Sequence, residues 1–480
     1  MATFYTKPLY KQYNTHLILF KPMNKHFLRN TSKVLLVSIL CISIGIEAFA
    51  TDGYFGVAFG TKNKGMGGAG IALYQHSLLG ANNPAGMYKL GTKFSFGVSV
   101  FNPNRSYTVT GSPTMPSPTS FPPPFGLTPG TYESINKIFP MPAIAFNLAL
   151  NEKSSLSIGM YGNGGMNTEY ETKTFYAQYL DGNIMPDGSN PMAGVSSPTG
   201  ISMMQGFGTI SYSRELFKGW SAGITAIGAA QAFQATGLQA FGNFGMSSDP
   251  TNLTNNDYDM SYGFGGKIGI MGQLVEGLTM GATYQTVLSM SAFDKYKGLF
   301  AEGGKFDVPA NWTAGLAYST GKMTFAFDVK QIFYSKVKSI GNTMNTMALM
   351  PYMMGATGLV PNPDYVPLGS DEGSGFGWKD MTIFKFGAQY GVCETMDLRA
   401  GFSHGNNPVQ ESEVMFNILA PAVIENHVTF GFTKRFGKKE LDIAIVRALN
   451  NALTGKNQMD PAQNITIEMN QWELEIGFSF

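Results

Sequence analysis

Ser403, His404 and Asn406 stand close enough along the chain to suggest a hydroxyl nucleophile, an imidazole base and an orienting amide. Adjacent residues of an extended strand point to opposite faces, so Ser403 and His404 cannot meet in those roles, and no hydrolase is expected. Met344, Met347, Met350 and Met353 recur every third residue, with Met354 beside them, and soft thioethers at that spacing could hold Cu(I). Pro351 interrupts any helix that would align them and no Cys or His stands near, so they read as adaptable apolar loop surface, either packing the loop or meeting a greasy ligand. Gly65-Met66-Gly67-Gly68-Ala69-Gly70 has dinucleotide-binding spacing, yet no apolar strand leads into it and no acid between Gly53 and Tyr132 could hold a ribose. His76, His404 and His427 are scattered and make no metal-ligand spacing. No catalytic residue, metal or cofactor is assigned.

The elements that must carry these residues follow from composition and period. Of 480 residues only 14% are charged, well below the roughly 25% of an ordinary soluble domain. The 58 glycines and 36 phenylalanines disfavour helices and favour strands. A net charge of +1 offers no basic field for a nucleic acid. Residues 34–46 form an apolar run too short to span a bilayer, preceded by Lys25, Arg29 and Lys33 and followed by Ala48-Phe49-Ala50. This predicts a signal peptide cleaved after Ala50, with the start codon open between Met1 and Met23. Removing residues 1–50 takes six of 33 basic groups and one of 32 acids, leaving a net charge of −4, and Cys393 as the one remaining cysteine.

Beyond Thr51 the recurrent pattern is period two. Trp472, Leu474, Ile476, Phe478 and Phe480 alternate with Gln471, Glu473, Glu475, Gly477 and Ser479. A soluble sandwich would wet the polar face, whereas a membrane barrel turns the apolar face to lipid and the polar face to its lumen. About 14 such segments are counted, centred near Val98, Phe146, Ile158, Ile210, Ile224, Ile268, Ala282, Leu316, Phe327, Phe386, Leu398, Phe430, Ile443 and Ile476, those at Ile210 and Ile224 being weakest. Their connections alternate between long, such as Pro103 to Pro140, and short, such as Asn151 to Ser154. That alternation predicts an all-β, 14-stranded antiparallel transmembrane β-barrel, to within two strands. Strand parity then turns Lys267, Lys330, Lys385 and Arg399 into the lumen. There the carboxylate of a ligand could use one of them, or Asp328 and Asp397 could neutralise them.

Gly53-Tyr54-Phe55, the Gly60-to-Gly70 run and Asn83-Pro84-Ala85-Gly86 resemble the hatch of the FadL/TodX outer-membrane transporters of long-chain fatty acids and hydrocarbons. Asn167-Thr168-Glu169-Tyr170, Gly377-Trp378-Lys379-Asp380, Leu398-Arg399-Ala400-Gly401 and Asn417-Ile418-Leu419-Ala420-Pro421 carry the resemblance through the chain. It implies three parts: residues 1–50 as N-terminal extension and signal peptide, a hatch over 51–91 inside the lumen, and a barrel over 92–480. It further implies that Asn83, Pro84, Ala85 and Gly86 form a rigid corner against a third strand kinked at Gly162, Gly164 and Gly165, where substrate leaves sideways. Phe480 is similar to the terminal aromatic read by outer-membrane assembly machinery. The expected function is passive uptake of a hydrophobic small molecule by a monomer set in outer-membrane lipid and lipopolysaccharide, with a general diffusion porin or structural outer-membrane protein as the alternative. Fatty acid and hydrocarbon are not separated at this point.

Overall fold

A computed structural model describes residues 52–116, 123–182, 188, 190–356 and 358–480. The expected signal peptide lies outside the described residues. Fourteen long strands run in chain order: β1 (Lys93–Thr110), β2 (Phe139–Asn151), β3 (Ser154–Tyr170), β4 (Thr199–Phe217), β5 (Trp220–Thr236), β6 (Asp259–Val275), β7 (Leu278–Gln285), β8 (Asn311–Thr320), β9 (Met323–Ile332), β10 (Met381–Cys393), β11 (Met396–Gly405), β12 (Asn426–Phe436), β13 (Lys439–Lys456) and β14 (Asn464–Ser479). Each pairs antiparallel with the next, and β14 returns to β1 with Ser95 opposite Ser479 and Thr110 opposite Asn464. The sheet is therefore closed into a barrel, with each wall strand joined to two neighbours.

Each of the 14 segment centres falls in its own strand. The weak segments at Ile210 and Ile224 are among the longest, 19 and 17 residues. Their alternation fades because small residues (Ala226, Gly228, Ala230) replace large ones, while pairing on both sides holds the backbone extended. Burial settles what the period left open. Trp472, Leu474, Ile476 and Phe478 of β14 are exposed, whereas Gln471, Glu473 and Glu475 are buried. Greasy side chains outside and acids inside are the inverse of a soluble core and the pattern of a wall in lipid.

The first long connection is shorter than the sequence suggests. Pro103 lies inside β1, opposite Gln471, and Pro140 lies inside β2. Proline fits there because β1 pairs with β2 only as far as Phe101 and with the short strand Gly130–Glu133 only from Ser106, so the missing N–H costs no ladder bond.

Residues 52–91 sit inside the barrel as short helical turns joined by tight bends. Buried ion pairs fasten them to the wall: Lys64 to Glu473 and Glu475 of β14, and Lys62 to Glu440 of β13 at 2.9 Å. Asp328 of β9 accepts the backbone N–H groups of Gly70 (2.7 Å) and Ile71 (2.9 Å). Contact is close enough to require glycine on both surfaces: a Cβ at Gly401 of β11 would lie 2.0 Å from the Gly67 nitrogen.

Candidate functional site

The wall has a window, and its cause is local sequence. β2 opens with Phe139-Pro140-Met141-Pro142, and two prolines without N–H groups cannot complete a central ladder. Pairing between β2 and β3 accordingly reaches only Ala143 opposite Tyr161. Above that point β3 bulges, with Gly162 opposite Gly206 and Gly164 opposite Gln205 of β4, so that Asn163 is the extra residue. The upper limit of the window is a second contact, where the Ile135 N–H donates to the Glu169 carbonyl at 2.9 Å. From Tyr161 to Glu169 the strand covers roughly 25 Å at ~3.3 Å per residue.

Inside the window the hatch stands in for the missing neighbour. Phe55 forms an antiparallel bridge to Gly164, the Gly56 N–H donates to the Asn163 carbonyl (3.0 Å), and the Gly165 N–H donates to the Tyr54 carbonyl (3.1 Å). Asp52 anchors this segment, since its Oδ2 accepts from Lys385 Nζ (2.8 Å) and Lys330 Nζ (3.1 Å). Burial raises the Asp52 carboxyl, but the two ammoniums beside it outweigh burial and hold it below the usual carboxylate range. His76, also in the hatch, meets Asn63 at 3.1 Å and is held neutral, with burial pushing its imidazole down to about 3.

Between hatch and wall lies a cavity of about 50 Å3. One side is apolar (Phe55, Val57, Phe59, Ile71), the other carries Lys267, Lys330, Lys385, Asp328 and Gln285, and Asn163 of the bulge borders it. Phe59 packs on Tyr161 at 4.4 Å between ring centres, at the lower rim of the window. Above the hatch is a packed aromatic roof. Tyr54 lies 5.4 Å from Tyr334 and 6.1 Å from Trp378, and Trp378 Nε1 donates to Asn417 Oδ1 at 2.6 Å. Thr168 donates to the Leu419 carbonyl (2.8 Å) and Tyr170 to the Ile418 carbonyl (3.0 Å), so three segments distant in sequence meet over the site.

The structure corrects several placements. The corner Asn83, Pro84, Ala85 and Gly86 does not supply the hatch contact to the bulge; Tyr54 to Gly56 do. Asn83 donates to the carbonyls of Ile71 (2.9 Å) and Ile270 (3.1 Å), and Ser213 donates to the Ala85 carbonyl (2.8 Å), which sets the corner against β4–β6 near the short-turn end. Of the lumen cations, Arg399 does meet Asp397 (3.5 Å), but Lys330 and Lys385 are taken by the hatch and Lys267 donates to the Ala81 carbonyl. The methionines do not converge. Met344 and Met350 are buried in the roof, Met347 is exposed, and Met353 lies half-buried in a short hairpin, Tyr352–Gly355 with Gly358–Pro361. Ser403 and His404 do face opposite ways: His404 pairs with Asn426 outside, whereas Ser403 meets His427 of the neighbouring strand at 3.2 Å inside. That interior pair was missed because it joins two strands. Asp52, Tyr54 and the two prolines of β2 were missed as well, although a Pro-x-Pro at a strand start is a readable sign of broken pairing.

A profile of the family described as outer membrane protein transport protein (OMPP1/FadL/TodX) matches residues 57–471. No curated protein sequence matches. Among solved structures, the toluene transporter TodX of Pseudomonas putida is 17% identical, with 88% of this chain and 98% of that one aligned at a TM-score of 0.59. A Pseudomonas aeruginosa FadL homologue is 12% identical, covering 89% and 99% at a TM-score of 0.60. The Ralstonia pickettii toluene transporter TbuX is 17% identical, covering 88% and 98% at 0.55.

Proposed function

Because the chain belongs to the OMPP1/FadL/TodX family of outer membrane transport proteins, we propose that it carries hydrophobic small molecules passively across the outer membrane and releases them sideways through the window between β2 and β3. The observation that carries this reading is the pairing that stops at Ala143 and Tyr161 and is replaced by hatch residues Tyr54 to Gly56. A strand edge covered by a hatch segment of a few hydrogen bonds can be uncovered without unfolding the wall. Lateral exit is favoured physically, since each CH2 kept out of water is worth ~0.8 kcal/mol, and the window faces hydrocarbon. Structural relatives named for toluene and for FadL accord with fatty acid or hydrocarbon cargo. A diffusion porin is disfavoured by the buried ion pairs that fasten the hatch across the lumen.

Substituting Pro140, Pro142 and Gly164 together by Val tests the reading. The variant regains two N–H donors and a strand-favouring side chain at the bulge, so β2 and β3 can zip. Uptake of a labelled hydrophobic compound by cells should fall severalfold, while the folded form, seen as a heat-sensitive shift on electrophoresis, persists. Parent-rate uptake by a folded variant would end lateral exit, and solute-dependent ion conductance unaffected by the change would favour the porin.

A further inference from the structure

Three neighbouring strands carry an ordered change of chemistry on the outer side of the wall. β13, β14 and β1 pair in that order and are long, 18, 16 and 18 residues. From the short-turn end upward their outer positions are first apolar: Ile445, Leu474, Ile476, Phe96 and Val100 are all exposed. Next come Arg447 and Trp472, directly opposite each other in the ladder, with Arg447 Cζ 4.8 Å from the ring centre. Above them the face turns to amides, Asn450, Asn470, Asn102 and Asn104. Hydroxyls follow, with Thr454 bonded to Thr466 (2.8 Å) and Thr108 to Thr131 (2.9 Å).

The height and the bonding of Arg447 point to a ligand. It lies eight residues past Lys439, where β13 leaves its short turn. At ~3.3 Å per residue and a tilt of about 40°, that is roughly 20 Å above the turn, near the upper margin of an apolar band about 25 Å tall. Tryptophan belongs to that margin, where its ring meets lipid headgroups. Arg447 Nη1 donates to Asn470 Oδ1 (3.0 Å) and to the Gln471 carbonyl (3.3 Å), both neutral acceptors. Nε and Nη2 have no acceptor among the described residues, and no carboxylate there comes within ion-pair distance; Glu468 of the same face accepts from Asn450 Nδ2 (2.8 Å) instead. A planar donor fork laid on a ring at the edge of hydrocarbon matches a phosphate, which takes two of its N–H groups at once. The amides beside it are joined in a row, Asn104 to Asn470 (3.3 Å) and Asn470 to Asn450 (3.3 Å), so a polar shelf stands over the apolar band.

We propose that the outer face of β13, β14 and β1 is a docking site for one lipopolysaccharide molecule. Its acyl chains lie on Ile445, Leu474, Ile476 and Val100, a lipid A phosphate sits on Arg447 beside Trp472, and its sugars meet the Asn and Thr rows. The sequence apolar, cation, amide, hydroxyl along one face is the sequence acyl chain, phosphate, sugar in that glycolipid. A glycerophospholipid supplies the first two layers and leaves the Asn and Thr rows, which rise above the band, without a partner. The site lies outside the barrel and is independent of the cargo proposed above.

The test titrates the purified full chain in a non-ionic detergent with three fluorescent probes: rough lipopolysaccharide, the same molecule dephosphorylated, and phosphatidylglycerol. The parent should hold the intact glycolipid roughly tenfold more tightly than either of the others. In Arg447→Gln that preference should fall to near one. Arg447→Lys keeps the charge without the fork and should lose roughly threefold. Thr454→Val with Thr466→Val should weaken the intact glycolipid severalfold and leave phosphatidylglycerol unchanged. Lys434→Gln removes a cation of β12 that stands opposite Leu441 near the short turns, and should change nothing. Folding of each variant is read from its heat-sensitive electrophoretic shift. If Arg447→Gln fails to fold, Arg447→Lys carries the test, and an unchanged preference there overturns the site. It is overturned equally by a parent that binds dephosphorylated lipopolysaccharide or phosphatidylglycerol as tightly as the intact glycolipid. A folded Arg447→Gln or double Val variant with the parent's affinities, or a loss in Lys434→Gln equal to that in Arg447→Gln, overturns it as well.

Discussion

Asp52→Asn removes a carboxylate that two buried ammoniums share, with Lys385 at 2.8 Å and Lys330 at 3.1 Å and exposures of 0%, 3% and 12% for the three side chains. Deleting one partner of a buried pair costs about 3–5 kcal/mol. Lys330 is partly reached by solvent, so the lower end, about 3 kcal/mol, applies here. At ~1.4 kcal/mol per tenfold, the balance between docked and released hatch segment shifts roughly a hundredfold. The segment affected is small: the Gly56 N–H bonded to Asn163 and the Gly165 N–H bonded to Tyr54. Amide hydrogen exchange in detergent should therefore quicken about a hundredfold at Gly56 and Gly165. The stretch around Lys64, pinned separately by Glu473 and Glu475, should keep the parent rate. The Asp52 carboxyl is held below its ordinary value, so its stabilisation is complete above pH ~4 and fades only as pH falls through the depressed value. The difference between variant and parent should thus be constant from pH 5 to 8. Exchange at Gly56 within twofold of the parent, or uniform acceleration across the whole hatch, would refute Asp52 as the latch of this segment.

His76 supplies a pH dependence of the opposite origin: its folded value of about 3 lies below the ordinary 6.5, so stability is full above about 6.5 and declines toward pH 3. The melting temperature in detergent should drop across that range at a cost approaching ~1.4 kcal/mol per unit, and His76→Asn should flatten the slope. Asn417→Leu strands the indole N–H of Trp378 in the buried roof and should cost about 1–3 kcal/mol, read as a lower melting temperature with a broadened tryptophan emission. Phe480 closes the barrel with two backbone bonds to Phe94 (2.8 and 3.0 Å) and a ring contact at 5.1 Å. Phe480→Asp should lower outer-membrane insertion while leaving export intact, and unchanged insertion would reduce the aromatic to a lipid-facing side chain.

What could be read from one dimension was whatever repeats along one strand. The inward parity of Lys267, Lys330, Lys385 and Arg399, the opposed faces of Ser403 and His404, and the count of 14 strands all follow from a period of two, which needs no knowledge of neighbours. The hatch motif was legible through resemblance, but its partners were not. Lys385 is separated from Asp52 by 333 residues and Tyr334 from Asp52 by 282, and no local pattern encodes which ammonium the hatch carboxylate reaches.

The sequence alone thus determined which side chains share a face of each strand, because hydrophobicity and strand period are properties of single residues and their neighbours. Only the tertiary structure decided where the wall stays unpaired and what charge is left over inside it. The prolines of β2 remove donors, but whether that opens a window depends on β3 bulging at Asn163 and on Tyr54 to Gly56 covering the gap. Lys267 is one lumen cation among four by sequence. It ends on the Ala81 carbonyl because closure of the barrel and insertion of the hatch commit Asp52 to Lys330 and Lys385, Asp328 to the hatch backbone and Asp397 to Arg399. Pairing of buried charges is a sum over the whole enclosed volume, and that sum exists only once the chain has closed on itself.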